Sequence, residues 1–188
     1  MLLVKIPSLI IGFFAFIQCA CAQEEISCSS PDKRFALQIQ NSGAISVIEL
    51  SSHHPVAQLA DGDEGIRAAS LSWRPDATVF AYRFTSGRIT ETQLWYLKGS
   101  KFCASDFLTP NLPMDSAEKQ IFDGRVVFDS TEPVQWTENG NLVLRRQGKA
   151  TWDQKTLKFD YEITIQNDKE GHAKVMSTKR RSLRLGTQ

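Results

Sequence analysis

Alternation of apolar and polar residues is the clearest feature of this chain. From Leu157 to Ile165 every odd position is apolar or aromatic and every even position is charged or polar. A period of two places one face of a β-strand on a core and the other face in water. Shorter versions of the pattern begin at Phe35 and Phe80, and they predict two further strands.

Other segments are apolar at consecutive positions, which is typical of strands that are covered on both faces. These segments are Leu94–Leu97, Val126–Phe128 and Leu142–Leu144. Turn signals separate the strands, at Asn41–Gly43, Asp61–Gly62, Asp123–Gly124, Asn139–Gly140 and Asp168–Gly171.

One short helix is predicted around residues 114–121, since Pro113 precedes it and Asp115 or Ser116 can cap it. The predicted fold is therefore mostly β, an antiparallel meander of hairpins with one short helix.

A weak internal repeat links three of the predicted hairpins. Ser30-Pro31-Asp32-Lys33-Arg34-Phe35 is similar to Arg74-Pro75-Asp76-Ala77-Thr78-Val79, and residues 136–144 look like a third copy. In each copy a polar turn leads into an apolar strand. Over residues 28–100 and 134–177 these units resemble blades of the TolB and WD40-like β-propellers, although Lys33 and Ala77 stand where the turn of that family usually has Gly. A positive φ would be costly for both residues.

Three blade-like units are fewer than the four that a propeller needs to close. Either the chain forms a homo-oligomer that completes a ring, or it folds by itself as a compact sandwich, barrel or partial propeller. The self-contained domain is the favoured alternative.

The first 22 residues have the pattern of a secretory signal peptide. Lys5 precedes an apolar run from Leu9 to Ile17, and a small-residue ending follows at residues 20–22. The mature chain would then begin at Gln23 in a periplasmic or extracellular compartment. An alternative is a lipoprotein signal acylated at Cys19 or Cys21, although neither cysteine has the residues that such processing prefers.

Removal of this leader leaves a length that suits one domain. We expect a β domain over residues 23–178, followed by a basic tail over residues 179–188. Two cysteines remain, Cys28 and Cys103, and in an oxidising compartment they are predicted to form a disulfide. Two buried free thiols are the alternative.

The net charge is +1, but it is unevenly distributed, because all 21 acidic residues precede residue 171 while five of the 22 basic residues follow it. The tail either is mobile in solvent, pairs with the acidic body, or meets an anionic surface. Arg180 and Arg181 are therefore candidate binding residues. Trp152 is a third, since it is the tryptophan most expected to be exposed. No motif indicates nucleic-acid binding.

Catalytic and metal-binding patterns are weak. Asp61 to Gly65 gathers three carboxylates without the spacing of a known calcium loop, and His53 and His54 would point to opposite faces of a strand. Asp160 and Glu162 share a strand face and would form the acid–base pair of an envelope hydrolase. No cofactor is predicted.

Two functions follow from the sequence. The preferred one is an exported, noncatalytic binding or scaffolding module that recognises another envelope or secreted protein, as the propeller resemblance implies. The alternative is an envelope hydrolase or small-ligand-binding protein that uses the acidic strand face.

Overall fold

The computed structural model describes residues 25–168 and 170–187, where the chain forms twelve β-strands and one α-helix. The predicted leader, with Cys19 and Cys21, lies outside these residues. The elements are β1 (Glu25–Ser27), β2 (Phe35–Ile39), β3 (Ala44–Glu49), β4 (Pro55–Asp61), β5 (Ile66–Trp73), β6 (Val79–Ser86), β7 (Ile89–Lys98), β8 (Lys101–Ala104), α1 (Ser116–Phe122), β9 (Arg125–Trp136), β10 (Leu142–Trp152), β11 (Lys155–Asn167) and β12 (Ala173–Thr187). Within the described ranges, no helix is long and apolar enough to span a membrane.

The strands form three antiparallel meanders of four strands each, which we call unit 1 (β1–β4), unit 2 (β5–β8) and unit 3 (β9–β12). Unit 1 is a separate sheet. Units 2 and 3 share a second sheet, joined where β7 and β9 run parallel over two residue pairs, Ile89 with Asp129 and Thr90 with Ser130. The predicted mostly β, antiparallel fold with blade-like hairpins and one short helix is confirmed.

The repeated turns before β2 and β6 have the same conformation. The amide of Lys33 donates to the carbonyl of Ser30 at 3.0 Å, and the amide of Ala77 donates to that of Arg74 at 2.9 Å. Lys33 and Ala77 have φ angles of 59° and 58°, so both occupy the left-handed region that glycine would adopt more easily. The turns thus keep the geometry of the repeat at a local energetic cost.

Unit 2 lies between the other two units, so parts of β6 and β7 are covered on both faces. Phe80 and Tyr82 of β6 pack against unit 1 in one buried cluster, whereas Ala81 between them packs against Leu142 and Leu144 of unit 3 in another. Alternate residues of a strand point to opposite faces, so one apolar segment serves two cores.

Helix α1 covers the half of the unit 3 sheet that unit 2 leaves open. Asp115 caps the helix by accepting from the amide of Glu118, whose carboxylate accepts from the amide of Asp115 in return. Ile121 is buried against Ala150, Leu157, Phe159 and Tyr161. The predicted position of the helix and of its cap is therefore correct.

A partly buried ion pair fixes the connection between β8 and α1. The Arg146 Nε and Nη2 atoms donate to the Asp129 carboxylate at 3.1 and 2.6 Å, and Nη1 donates to the carbonyl of Pro110 at 2.9 Å. The guanidinium also lies over the ring of Phe122, 5.5 Å from its centre. One side chain on β10 therefore contacts β9, the connection and the helix.

The predicted basic tail is wrong. Residues 179–187 belong to β12, which pairs with β11 from Asn167 with Ala173 to Lys155 with Thr187. Two register shifts interrupt this pairing. These shifts interrupt the alternation of apolar and polar residues that would otherwise indicate a strand. Leu183 of β12 packs against the buried cluster under α1.

The predicted disulfide is not formed, and both Cys28 and Cys103 are free, partly buried thiols. Cys28 packs against the buried cluster between units 1 and 2, to which Phe102 of β8 also belongs. Cys103 is the next residue along β8 and so points to the opposite face of that strand. The strand geometry, rather than the sequence separation, keeps the two sulfur atoms apart.

Candidate functional site on the open face of unit 3

One face of the unit 3 sheet packs on unit 2 and α1, and the opposite face is open. We call this second surface the open face. Its centre is a shallow hollow of about 460 Å³ that is lined by Phe128, Gln147, Lys149, Lys158, Asp160, Ser182 and Arg184, with the backbone of the neighbouring strand positions beneath.

Three basic side chains form a straight row across the open face. Lys149 on β10 lies directly opposite Lys158 on β11, which in turn lies directly opposite Arg184 on β12. Directly opposed residues in an antiparallel sheet have Cβ atoms about 4.5–5.5 Å apart, and like charges at that spacing repel. The row is therefore a local concentration of positive charge that lowers the stability of the sheet.

The acidic residues of the open face are already paired with arginines. Arg145 donates to Asp160 at 3.0 and 2.8 Å, Arg181 to Glu162 at 3.4 Å, and Arg83 to Glu132 at 3.3 Å. In contrast, Lys149, Lys158 and Arg184 form no ion pair within residues 25–168 and 170–187. The carboxylates are thus compensated within the protein, and the row of cations is not.

Glu132 illustrates how tightly these carboxylates are held. The Ser130 hydroxyl donates to its Oε1 atom at 2.6 Å. This hydrogen bond, helped by the charges of Arg83 and Arg145, lowers the pKa of Glu132 against the opposing effect of burial. Glu132 therefore stays ionised and bound, and it is not a free acid or base.

An aromatic side chain lies beside the basic row. Phe128 is opposite Lys149 across the β9–β10 pair, and its side chain is 42% exposed. We expected residues 126–128 to form a strand covered on both faces, but Val126 and Phe128 are both exposed. The open face thus combines positive charge with an accessible apolar ring, and such mixed surfaces are common at protein interfaces.

Arg180 serves the fold. Its guanidinium donates to both carboxylate oxygens of Glu118, at 3.1 and 2.9 Å, and to the carbonyl of Pro113 at 2.8 Å. It also lies over the ring of Tyr161, 5.7 Å from the centre. Burial raises the pKa of Tyr161, and the positive charge of Arg180 partly offsets that rise. Arg180 therefore anchors α1 on β12.

The other two predicted binding residues occupy different places. Arg181 lies at a register shift in β12, exposed, with Glu162 as its partner. Trp152 is 49% exposed, as expected, but it lies at the far end of β10, beside Asp153 and Lys155 rather than in the hollow of the open face. The structure does not bring Trp152, Arg180 and Arg181 together.

The arrangement does not favour the chemistry considered for the acidic residues. Asp160 and Glu162 share a face as predicted, but arginines occupy both carboxylates. No cluster of three or more histidine, cysteine or acidic side chains suited to a metal ion occurs in the described part of the chain, and this includes the loop after Asp61 and the turn at His53.

Sequence reasoning did not single out Lys149, Lys158 or Arg184 as a group, because the three residues lie on three different strands. The available signal was the register of the β10–β11 hairpin. Counting back from its two-residue turn at Asp153–Gln154 pairs Lys149 with Lys158. The register shifts in β12 concealed the third member of the row.

Comparisons with known proteins give distant structural likenesses and no match in sequence. No family model matches the chain, and no curated protein matches it. Among solved structures, a periplasmic gluconolactonase of Pseudomonas aeruginosa is similar with a TM-score of 0.37 and 13% identity, over 86% of this chain and 57% of that one. The chain thus corresponds to little more than half the length of that protein.

Proposed function

We propose that this protein is an exported, noncatalytic binding module that docks an acidic partner protein of the cell envelope or secreted fraction on the open face of unit 3. The uncompensated row of Lys149, Lys158 and Arg184 is the observation that carries this proposal. Export rests on the leader pattern of residues 1–22.

The uncompensated charge of the open face favours a negatively charged partner. Opposed like charges cost stability, and a single acidic residue at the central position would turn repulsion into attraction worth roughly 0.2–1 kcal/mol per pair. The open face instead keeps three cations together, while its carboxylates are bound by arginines. A negatively charged partner would compensate the row, and the exposed Phe128 ring would add apolar contact area.

The ion pairs of the open face favour binding over catalysis. Asp160 and Glu162 each face a guanidinium, so neither carboxylate is available to exchange a proton with a substrate. The hollow is also shallow and lies on the rigid middle of a sheet, which suits docking of a protein surface better than enclosure of a small substrate.

The test is comparative capture with the full chain carrying a C-terminal tag in its native compartment. The open-face variant combines Lys149→Glu and Lys158→Glu. The matched control combines Lys98→Glu and Lys101→Glu, which reverses another directly opposed and exposed lysine pair on unit 2. Crosslinking followed by mass spectrometry identifies the proteins that each form retains.

We expect an acidic partner that the wild type and the control retain and the open-face variant loses, with capture that weakens as salt is added. A partner that the open-face variant retains would show that this face is not the binding surface. If no form retains any protein above background, the binding-module proposal is wrong.

A further inference from the structure

A second concave surface lies on the other side of unit 3, away from the open face. It is a groove of about 580 Å³ between α1 and the end of the sheet, where the β10–β11 hairpin and β12 extend beyond the helix. Ala117 and Gln120 of α1, Trp152, Asp153 and Lys155 of the hairpin, and Leu185 of β12 line it. We call it the α1 groove.

Trp152 provides a fixed aromatic surface in this groove. A Cβ atom on Gly124 would lie 2.9 Å from Cε3 of the Trp152 ring and 3.0 Å from its Cβ atom, so the side chain rests directly on the glycine backbone. Contact on this side limits its rotation, while about half of the side chain remains exposed. An indole that is held on one side and open on the other is preorganised to stack on a flat, weakly polar ligand.

The polar side chains around the ring have no partner within the described part of the chain. Within the residues that the structure describes, the side chains of Gln120, Asp153 and Lys155 take part in no hydrogen bond or ion pair. A carboxylate accepts hydrogen bonds, an ammonium group donates them and an amide does both. Together they match a ligand whose edge carries several hydroxyl groups, since each hydroxyl both donates and accepts.

The charges of the groove select against an ionic ligand. Asp153 and Lys155 flank Trp152 with opposite charges, so an anion or a cation bound on the ring would meet one repulsive neighbour. A long apolar segment also fits poorly, because the apolar lining is confined to Trp152, Leu185, Ala117 and Ile121 and charged groups border it. A neutral ring with one apolar face and a hydroxylated edge satisfies all of these features.

We propose that the α1 groove binds a neutral saccharide, with one sugar ring stacked on Trp152 and its hydroxyl groups hydrogen-bonded by Asp153, Gln120 and Lys155. This site is separate from the open face, so the result of either test leaves the other proposal unchanged. The volume of the groove lies in the range typical of small-ligand sites and accommodates a mono- or disaccharide.

The test is a titration of the full chain with cellobiose and with its N-acetylated counterpart chitobiose. Binding is monitored through the NMR signal of the Trp152 indole N–H. All-equatorial hydroxyl groups leave both of these sugars with flat apolar ring faces. We expect saturable shifts of the Trp152 signal and of neighbouring groove residues at millimolar sugar concentrations, which is a common affinity for a single exposed sugar site.

Three variants separate stacking from hydrogen bonding. Trp152→Ala should abolish detectable binding, and Trp152→Phe should retain it with an affinity reduced about tenfold. Asp153 has a φ of 45°, a conformation that asparagine tolerates well, so Asp153→Asn keeps the hairpin while weakening binding several-fold. Val134→Ala on β9 is the control, because it shortens an exposed apolar side chain that lines neither the α1 groove nor the hollow of the open face, and it should bind as the wild type does.

Three outcomes would overturn the inference. The first is that neither disaccharide shifts the NMR signals of the groove and that the protein also binds no sugar on a glycan array. The second is binding that survives Trp152→Ala. The third is a groove that takes up a short aliphatic carboxylate but neither sugar.

Discussion

The partly buried pair of Arg146 and Asp129 should be among the most sensitive points of the fold. The side chains are only 12% and 15% exposed, and Arg146 forms two hydrogen bonds to the carboxylate and a third to the carbonyl of Pro110. Arg146→Met keeps the length and apolar stem of the side chain but removes the charge and all three donors. The carboxylate of Asp129 is then left without a cation in a partly buried site.

The expected cost follows from that loss. Removing one partner of a fully buried ion pair typically costs about 3–5 kcal/mol, and the residual exposure of this pair places the expected loss near the lower limit, about 3 kcal/mol. Since 1 kcal/mol corresponds to roughly 2–4 °C in a chain of this size, the midpoint of thermal unfolding should fall by about 10 °C. The connection at Pro110 should also become more susceptible to protease.

Urea unfolding followed by tryptophan fluorescence measures the free energy directly. Arg145→Met is the matched control, because Arg145 also binds a carboxylate with two hydrogen bonds, yet its side chain is 44% exposed. This control should lose far less stability. The double variant Arg146→Met with Asp129→Leu removes the stranded charge, so it should recover most of the loss.

A cost below about 1 kcal/mol for Arg146→Met would refute this reasoning, because charge-assisted hydrogen bonds in a buried site should exceed that value. So would a double variant that is no more stable than Arg146→Met alone. That result would mean that the hydrogen bonds themselves, rather than the unpaired Asp129 carboxylate, determine the loss.

Three further predictions concern the turns, the open face and pH. Lys33→Gly should raise the free energy of unfolding by up to about 1 kcal/mol, because glycine adopts the left-handed conformation without strain. Ala77→Gly should raise it less, because this change also deletes a buried methyl group. Equal urea midpoints for the wild type and Lys33→Gly would contradict this prediction. Lys158→Glu should stabilise the sheet by roughly 0.5–1 kcal/mol in the same assay while abolishing partner capture, and a destabilised variant would show that the basic row is not repulsive. The hydrogen bond that His172 makes to the Asp106 carboxylate raises the pKa of His172, and the backbone amide of Ala173 together with His172 lowers the pKa of Asp106. This pair therefore stabilises the fold most between roughly pH 4 and 6.5. Its contribution is lost as the pH rises through the folded-state pKa of His172 or falls through that of Asp106. An NMR titration of the His172 ring should show its pKa falling toward the ordinary value in Asp106→Asn, and an unchanged value would refute the pairing.

The strands that sequence reasoning located are those whose environment is set by local alternation. β11 follows from its period of two, and α1 follows from Pro113 before it and from Asp115 or Ser116 as its cap. The double-sided burial of residues 94–97 in β7 was also predicted, because a strand between two layers is apolar at consecutive positions. For β6 the alternation predicted one covered face, whereas Ala81 on its other face is buried as well.

β12 was missed for a physical reason. Its two register shifts displace the alternation, and its five basic residues resemble a solvated tail in composition. The pairing with β11 supplies the hydrogen bonds, and Glu118 and Glu162 supply partners for two of the charges. Neither contribution is visible to a local pattern.

The open face depends on register, which is why its basic row escaped prediction. Lys149 and Lys158 become neighbours only through the hairpin, and Arg184 joins them only after both shifts in β12 have been taken into account. The disulfide failed for a related reason, since a single step along β8 separates Phe102, which faces the cluster around Cys28, from Cys103.

β12 also ends the sheet, because β11 is its one strand neighbour in the described chain. A fifteen-residue edge with free backbone groups is a template on which a second copy could add a strand and begin to aggregate. Two such edges that met in antiparallel fashion would bring together Lys174, Lys179 and Arg184 of each chain, which form no ion pair in the described residues, and the two register shifts would misalign their backbone hydrogen bonds. The basic residues of β12 would therefore oppose pairing of two copies along this edge.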